Sequence, residues 1–171
     1  SSLETDNLPI DNIDLTGLNQ LRVFSLKNAG LRNVDLSYNN KLEKLDLSGN
    51  LLTRLTLKGP SSYFYKSLLT DINLSNNQLE SYEFDDFYAV RKFDISHNKM
   101  VNLDVSDADN LRSLNISNNA FTRLLLNHSE LLERLDASNN QLTEIKIPPV
   151  APMAYLNVSG NKFTLADMPA D

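Results

Sequence analysis

Apolar residues recur along the chain in a fixed phrase, with apolar positions at one, four and six, and an asparagine closes most copies of it. The asparagines that end successive phrases are Asn50, Asn77, Asn98, Asn119, Asn140 and Asn161. Their spacing is 21 residues throughout, except for a first interval of 27. Extending the frame backwards places Leu21, Phe24 and Leu26 in the first phrase, with Ala29 in the asparagine position. A fixed period of this length predicts a solenoid, in which each repeat forms one coil stacked on the next.

Each repeat contains the apolar pattern twice. In one repeat the two halves are Leu42, Leu45, Leu47 and then Leu52, Leu55, Leu57. Alternation with a period of two predicts a short strand in each half, and the helical spacing of three and four is absent from the second half. We therefore expect parallel β-strands on both sides of each coil, little helix and low curvature, because strands on both sides stack at the same ~4.8 Å.

The same pattern sets the predicted domain limits. The regular apolar spacing begins at residue 10, so residues 1–9 are predicted to be an N-terminal extension. Residues 10–168 then form a single solenoid of about seven and a half coils, and 169–171 are the C-terminal end. One link between coils is lengthened by an insertion, residues 58–68 (KGPSSYFYKSL).

The asparagine column has a structural explanation. After the first strand of each coil the chain turns, and this turn leaves backbone N–H and C=O groups inside the molecule. An asparagine side chain offers both a donor and an acceptor of short reach. We therefore assign these residues to the scaffold.

The phrase LDASNNQLTEI and the nested half-repeats resemble the 21-residue (IRREKO-type) leucine-rich repeats, which are common in exported proteins of the Bacteroidetes. The resemblance covers residues 10–168. It implies a leucine-rich repeat solenoid that acts as a bacterial extracellular or surface-attached interaction module. The chain departs from many such relatives in having Ala137, Ile116 and Ile95 where they carry cysteine.

Composition excludes several classes of function. The net charge is −6 without a cluster of basic residues, which disfavours nucleic acid as a partner. The chain has no cysteine, and its two histidines, His97 and His128, are isolated, so we expect no metal site and no cofactor. No nucleophile or acid–base constellation is present, which predicts that the chain is not an enzyme. No apolar run reaches the ~20 residues of a membrane span, and residues 1–9 contain no export signal.

Residues that vary on the outward side of the first strand are the first candidates for partner binding. This row contains Val23, Lys44, Asp71, Lys92, Ser113, Arg134 and Tyr155. In repeat proteins, variation on a fixed strand surface is where recognition is normally located.

A set of aromatic residues is the second candidate. The insertion carries Tyr63, Phe64 and Tyr65, and the neighbouring coils add Tyr38, Phe87 and Tyr88 at the corresponding edge. Exposed aromatic residues are typical binding anchors. The alternative is that the insertion folds over and buries Phe64 as a local cap.

Two polar columns allow more than one interpretation. On the first sheet, Asp46, Asn73, Asp94, Asn115, Asp136 and Asn157 alternate strictly, which relieves charge repulsion or provides a polar strip for sugar hydroxyls. On the second sheet, the adjacent pairs Asp14/Asp35 and Glu83/Asp104 could hold a calcium ion, but they supply few of the six to eight oxygen ligands that calcium requires.

The sequence therefore predicts a non-catalytic module that binds a macromolecule, with a protein favoured over a glycan. The alternatives are a structural spacer array in a longer surface protein and a glycan-binding module. The expected location is the outside or the surface of a bacterial cell.

Overall fold

The computed structural model describes residues 1–7, 9–55, 57, 68–81 and 88–164. It contains ten short strands and, within those residues, no helix. Eight strands form one parallel sheet: β1 (Ser2–Asp6), β2 (Val23–Lys27), β3 (Lys44–Asp46), β4 (Asp71–Asn73), β5 (Lys92–Asp94), β6 (Ser113–Asn115), β8 (Arg134–Asp136) and β10 (Tyr155–Asn157). Each strand pairs with its equivalent in the next coil, so the predicted parallel-strand solenoid with little helix is confirmed.

The first strand corrects the predicted N-terminal boundary. Ser2–Asp6 pairs in parallel with Val23–Lys27, and Leu3 lies opposite Phe24. Residues that we assigned to an extension outside the repeat therefore form the first rung of the sheet, one period of 21 residues before β2.

The second side of the solenoid is less regular than the first. There β7 (Arg123–Leu125) and β9 (Glu144–Lys146) form a two-stranded parallel sheet. In the other coils the described second-half residues are not strands, apart from one bridge residue, Asp35. Their inward side chains still follow the predicted spacing. Among the described residues, strands on both sides of a coil therefore occur only where β7 and β9 lie.

Alternating residues of both halves fill one continuous core. Phe24, Leu45, Phe93 and Leu135 project inward from the large sheet, and Phe121 projects inward from the second half; none of them is more than 3% exposed. This core also contains Ala137, Ile116 and Ile95, the residues at positions where many similar repeats carry cysteine. Each coil buries its apolar face only against its neighbours, which is the physical basis of a solenoid.

The asparagine column links successive coils as the sequence predicts. Asn119 is representative: its Nδ2 donates to the carbonyl oxygens of Ile95 (2.9 Å) and Ile116 (3.1 Å), and its Oδ1 accepts from the N–H of Met100 (2.9 Å). Asn50 makes equivalent bonds to the coil that carries β2, where its Oδ1 accepts from the N–H groups of Ala29 and Leu31. Each side chain therefore satisfies backbone groups of its own coil and of the coil before it.

A second column, immediately before the asparagines, holds the turn in a left-handed backbone conformation. Its members have φ between 53° and 70°, and they are Asn7, Asn28, Gly49, Asn76, His97, Asn118, Asn139 and Gly160. Asparagine and glycine are the residues that adopt this conformation most readily. The repeated Asn-Asn and Gly-Asn pairs of the sequence therefore mark this turn, and the left-handed conformation of their first residue was not predicted.

Replacing Gly49 with alanine is expected to lower the free energy of unfolding by about 1–2 kcal/mol, because its φ of 70° is strained for an L-residue. The new Cβ would also lie 2.0 Å from Asn28 Oδ1, which must move. Urea unfolding measures the effect. Gly17→Ala is the matched control, since nothing lies within 4 Å of its added Cβ, and it should change stability by less than about 0.5 kcal/mol. Equal losses in the two variants would contradict the proposed strain.

Candidate functional site

The outward row of the first strands lies on one continuous surface. Val23, Lys44, Asp71, Lys92, Ser113, Arg134 and Tyr155 are each the first residue of a strand in the eight-stranded sheet, and the strand register places each beside the next. The structure therefore brings these candidate residues together. Lys44, Lys92, Arg134 and Tyr155 are exposed, and the other three are half-buried.

Neighbouring residues of this row interact weakly with one another. Lys92 Nζ lies 3.9 Å from Asp71 Oδ1, at the limit of an ion pair, and 72% of the lysine side chain is exposed. The guanidinium of Arg134 lies over the ring of Tyr155, 4.5 Å from its centroid. Exposed contacts of this kind contribute little to stability, so these side chains remain accessible to a partner.

The Asp–Asn column two residues further on is a hydrogen-bonded ladder. Asn115 Nδ2 donates to Asp94 Oδ2 at 3.1 Å, and the corresponding bonds join Asn73 to Asp46 and Asn157 to Asp136. Alternation therefore gives each carboxylate an amide donor from the next coil. This geometry favours the scaffold interpretation of the column over a strip for sugar hydroxyls.

The serine two residues after each member of this ladder closes the turn. Asp94 Oδ1 accepts from the N–H (2.9 Å) and the hydroxyl (2.7 Å) of Ser96, and Asn115 Oδ1 accepts from the N–H of Ser117. The Asn-x-Ser phrases at Asn73, Asn115 and Asn157 are thus part of the turn, which explains their recurrence without invoking glycosylation.

The second side uses the same turn. Asp14, Asp35 and Asp104 each accept from the backbone N–H two residues later, at 3.0, 2.9 and 3.0 Å. Hydrogen bonds from the same residue, Thr16, Ser37 or Ser106, lower the pKa of each carboxyl. The backbone N–H has the larger effect on Asp14 and Asp104, and the Ser37 hydroxyl has the larger effect on Asp35. One oxygen of each aspartate is therefore engaged in a turn, and the described residues contain no group of three or more ligand-type side chains arranged for a metal ion. Glu83, the partner considered for Asp104, lies outside the described residues.

Asp136 shows how the ladder couples stability to pH. Burial raises the pKa of this carboxyl, but hydrogen bonds from Ser138, Asn157 and Tyr155 together lower it below the ordinary value of 3.8. A lowered folded-state pKa stabilises the fold above the ordinary value, and this contribution is lost as the pH falls through the folded-state pKa.

Asp136→Asn is therefore expected to reduce the loss of stability between pH 7 and about pH 3, because it removes a carboxyl whose pKa is lower in the folded chain than in the unfolded chain. Urea unfolding at the two pH values measures the difference. Asp107→Asn, at an exposed position, is the control and should retain the pH dependence of the parent chain. The same dependence in both variants would contradict the role of Asp136.

The aromatic edge is only partly described. Tyr38 and Tyr88 are 54% and 48% exposed, in agreement with an accessible edge at these positions. Tyr63, Phe64, Tyr65 and Phe87 lie outside the described residues, as does most of the insertion. The choice between an aromatic anchor and a local cap therefore stays a prediction.

One row of surface residues, most of them charged, was not predicted from the sequence. The residue just before each strand is also on the surface, and in six coils these residues are Arg22, Glu43, Thr70, Arg91, Arg112 and Glu133. Two pairs bridge adjacent coils: Arg22 to Glu43 at 3.1 Å and Arg112 to Glu133 at 2.6 Å. The sequence does contain a signal for this row, because a charged residue recurs immediately before the first residue of the strands.

A protein-family model described as Leucine Rich Repeat matches residues 41–63, 110–130 and 131–153. The chain carries leucine-rich repeats. Comparison with curated protein sequences finds no match. The repeat type and its bacterial group, which the resemblance implied, stay expectations.

Solved leucine-rich repeat structures share the fold. The functional domain of InlJ from Listeria monocytogenes is 26% identical with a TM-score of 0.64, over 95% of this chain and 40% of that one. The leucine-rich repeat domain of APL1B is 25% identical with a TM-score of 0.80, over 95% and 49% of the two chains. YopM from Yersinia enterocolitica, at 24% identity and a TM-score of 0.63 over 95% and 38%, shows the fold alone. The chain thus spans less than half the length of these three.

The leucine-rich repeats indicate a general class of function. Leucine-rich repeat proteins are typically protein-interaction modules, and their fold is generally a non-catalytic scaffold for binding. The described residues include no helical segment with the length and hydropathy needed to cross a bilayer.

Proposed function

We propose that the chain is a non-catalytic protein-binding module of an extracellular or cell-surface bacterial protein, and that it binds its partner on the outward face of the eight-stranded sheet. The observation that carries this proposal is the first-strand row. Seven side chains of different size and charge stand side by side on a rigid surface, while the inward column and the Asp–Asn column of the same strands repeat the same residue types.

Three other columns support the assignment by contrast. Inward residues are fixed by the core, and the Asp–Asn and serine columns are fixed by hydrogen bonds within the turn. The strand-entry positions are free of these constraints, so they can vary without loss of the fold. A protein partner fits such a surface because it can supply apolar, charged and aromatic contacts together.

The aromatic edge extends this surface. Tyr38 and Tyr88 belong to the coils before and after the lengthened link, and we include Tyr63, Phe64, Tyr65 and Phe87 in the proposed contact region. Large aromatic side chains are the commonest anchors of protein interfaces.

Photo-cross-linking from single positions tests the proposal. A photoreactive residue at Ser113, in the middle of the sheet face, is expected to capture a discrete protein on the surface of the native cells. The same residue at exposed Asn102, on the other side of the coil, should not capture it. Capture from Asn102 alone, or equal yields from both positions, would contradict the proposed face.

A further inference from the structure

Charge is divided across the width of the sheet face. We define the entry edge as the first residue of each strand of the large sheet together with the residue before it. Its cations are Arg22, Lys44, Arg91, Lys92, Arg112 and Arg134, and its carboxylates are Glu43, Asp71 and Glu133. All positions of this edge are described, and their side chains carry a net charge of +3 within a chain of net charge −6.

The other half of the face has the opposite sign. We define the exit edge as the third residue of each strand together with the residue two positions later. It carries five carboxylates, Glu4, Asp6, Asp46, Asp94 and Asp136, and one cation, Lys27. The two edges are about 7 Å apart, because two residues of a strand span that distance.

Three cations and three carboxylates of these edges share a period of two coils. Lys44, Lys92 and Arg134 begin strands β3, β5 and β8, and Asp46, Asp94 and Asp136 end the same strands. Since adjacent strands lie about 4.8 Å apart, equivalent charges repeat about every 10 Å along the solenoid. The chain therefore has a two-coil charge repeat superimposed on its single-coil apolar repeat.

The carboxylates of the exit edge do not neutralise these cations. Asp94 is held by the N–H and hydroxyl of Ser96 on one oxygen and by Asn115 on the other, and the same arrangement holds Asp46 and Asp136. Within the described residues, no carboxylate lies within 4.0 Å of the Lys44 ammonium or of the Arg91 guanidinium. Lys44, Arg91 and the weakly paired Lys92 are thus available to a partner. Arg22 and Arg112 are instead paired with carboxylates of the next coil.

We propose that the partner contributes an acidic protein segment that lies along the entry edge, parallel to the solenoid axis. This inference rests on the proposed function and specifies the chemistry of its partner. Carboxylates about 10 Å apart would match Lys44, Lys92 and Arg134. A segment in the polyproline II conformation with an acidic residue at every third position has nearly this spacing on one side, because its turn contains three residues that each rise about 3.1 Å.

The exit edge distinguishes a protein segment from a polyanion. A sulfated glycan or nucleic acid carries charge on all its sides, so part of that charge would face the exit edge within one screening length of about 8–10 Å. A protein segment can place carboxylates on one side and neutral or basic residues on the other. The divided face therefore favours a protein, and it fixes the side on which the acidic residues lie.

Fluorescence anisotropy with defined probes tests this inference. The probes are a labelled twelve-residue peptide with glutamate at every third position and neutral residues elsewhere, the same peptide with glutamine in place of glutamate, and a heparin oligosaccharide. We expect the glutamate peptide alone to bind in about 20 mM NaCl, and about 0.5 M NaCl to abolish binding by screening.

Matched triple variants locate the binding. Lys44→Gln, Arg91→Gln and Lys92→Gln together should weaken peptide binding at least about fivefold, as expected for the loss of three exposed charge contacts. The control combines Arg32→Gln, Arg54→Gln and Lys99→Gln, three exposed cations outside the face. Both triples change the charge equally and remove one ion pair of 3.9 Å, Lys92–Asp71 or Lys99–Glu80. The control triple should change affinity by less than about twofold.

Each other outcome overturns the inference. These outcomes are no binding of the glutamate peptide, equal effects of the two triples, or tighter binding of heparin through the same three cations. If Ser113 still captures a partner from the sheet face while the entry-edge triple leaves that capture unchanged, the proposed function stands and only the acidic segment is wrong. Failure of both experiments would reject the sheet face itself.

Discussion

Replacing Asn140 with alanine is expected to lower the free energy of unfolding by about 3 kcal/mol or more. Its Nδ2 donates to the carbonyl oxygens of Ile116 (2.9 Å) and Ala137 (3.2 Å), and its Oδ1 accepts from the N–H of Phe121 (3.1 Å). The substitution leaves the N–H of Phe121 without a partner in a site that is 7% exposed. Each of the two carbonyl oxygens loses one of its donors, because Ile116 still accepts from Asn119 and Ala137 from Asn161. A buried group that loses its only hydrogen bond keeps the cost of its desolvation, about 1–3 kcal/mol, and each of the other two lost bonds adds about 0.5–1.5 kcal/mol.

Equilibrium unfolding in urea, followed by circular dichroism, measures this loss. Asn102→Ala is the control, because Asn102 is exposed, and its effect should stay below about 0.5 kcal/mol. A cost below about 1 kcal/mol for Asn140→Ala would mean that water replaces the lost bonds, and it would contradict the role of the ladder in stabilising the coils.

Phe121→Ala is the second large expected effect, with a loss of about 3–5 kcal/mol, because the ring is fully buried and its removal leaves a cavity. Phe163 occupies the same position in the last described coil and is only half-buried. Phe163→Ala should therefore cost clearly less in the same unfolding measurement. Similar losses in the two variants would show that the core does not depend on stacking between coils.

The hydrogen bonds of the scaffold could be predicted because they follow from counting donors and acceptors. A turn that faces the interior strands backbone groups, and asparagine is the short residue that supplies both kinds of partner. The donor half of this argument applies to Asn39, whose Nδ2 donates to the carbonyl oxygens of Leu15 and Leu18 (3.0 Å each) at the opposite turn. Its Oδ1 is buried and has no hydrogen-bond partner among the described residues. That residue was missed because asparagine does not recur there in the other coils.

The first strand was missed because the apolar phrase is weaker in residues 1–9. Leu3 keeps the inward position, but Thr5 occupies the next one, and Leu8 stands where later coils have asparagine. Pairing with β2 depends on backbone groups, which every residue carries. The pattern of side chains therefore underestimates the extent of the sheet at its end.

The candidate surface was predictable as a row of residues but not as a charge distribution. Spacing alone placed Lys44, Lys92 and Arg134 on one face. The ladder that holds Asp46, Asp94 and Asp136 away from them depends on the geometry of the turns. The spacing did not place the residues just before the strands on this surface, but the structure does, at the corner of each coil.

The central claim is that binding takes place on the outward face of the eight-stranded sheet, and site-specific blocking tests it most directly. Since the chain has no cysteine, Ser113→Cys and Asn102→Cys each provide a single site for a bulky polyethylene glycol maleimide. The measurement is the affinity of each labelled chain for the partner captured from Ser113. We predict a loss of at least about tenfold for the label at Ser113 and a change below about twofold for the label at Asn102, because the label excludes a partner only where its surface would lie. Unchanged binding with the label at Ser113, or an equal loss at both sites, would contradict the account.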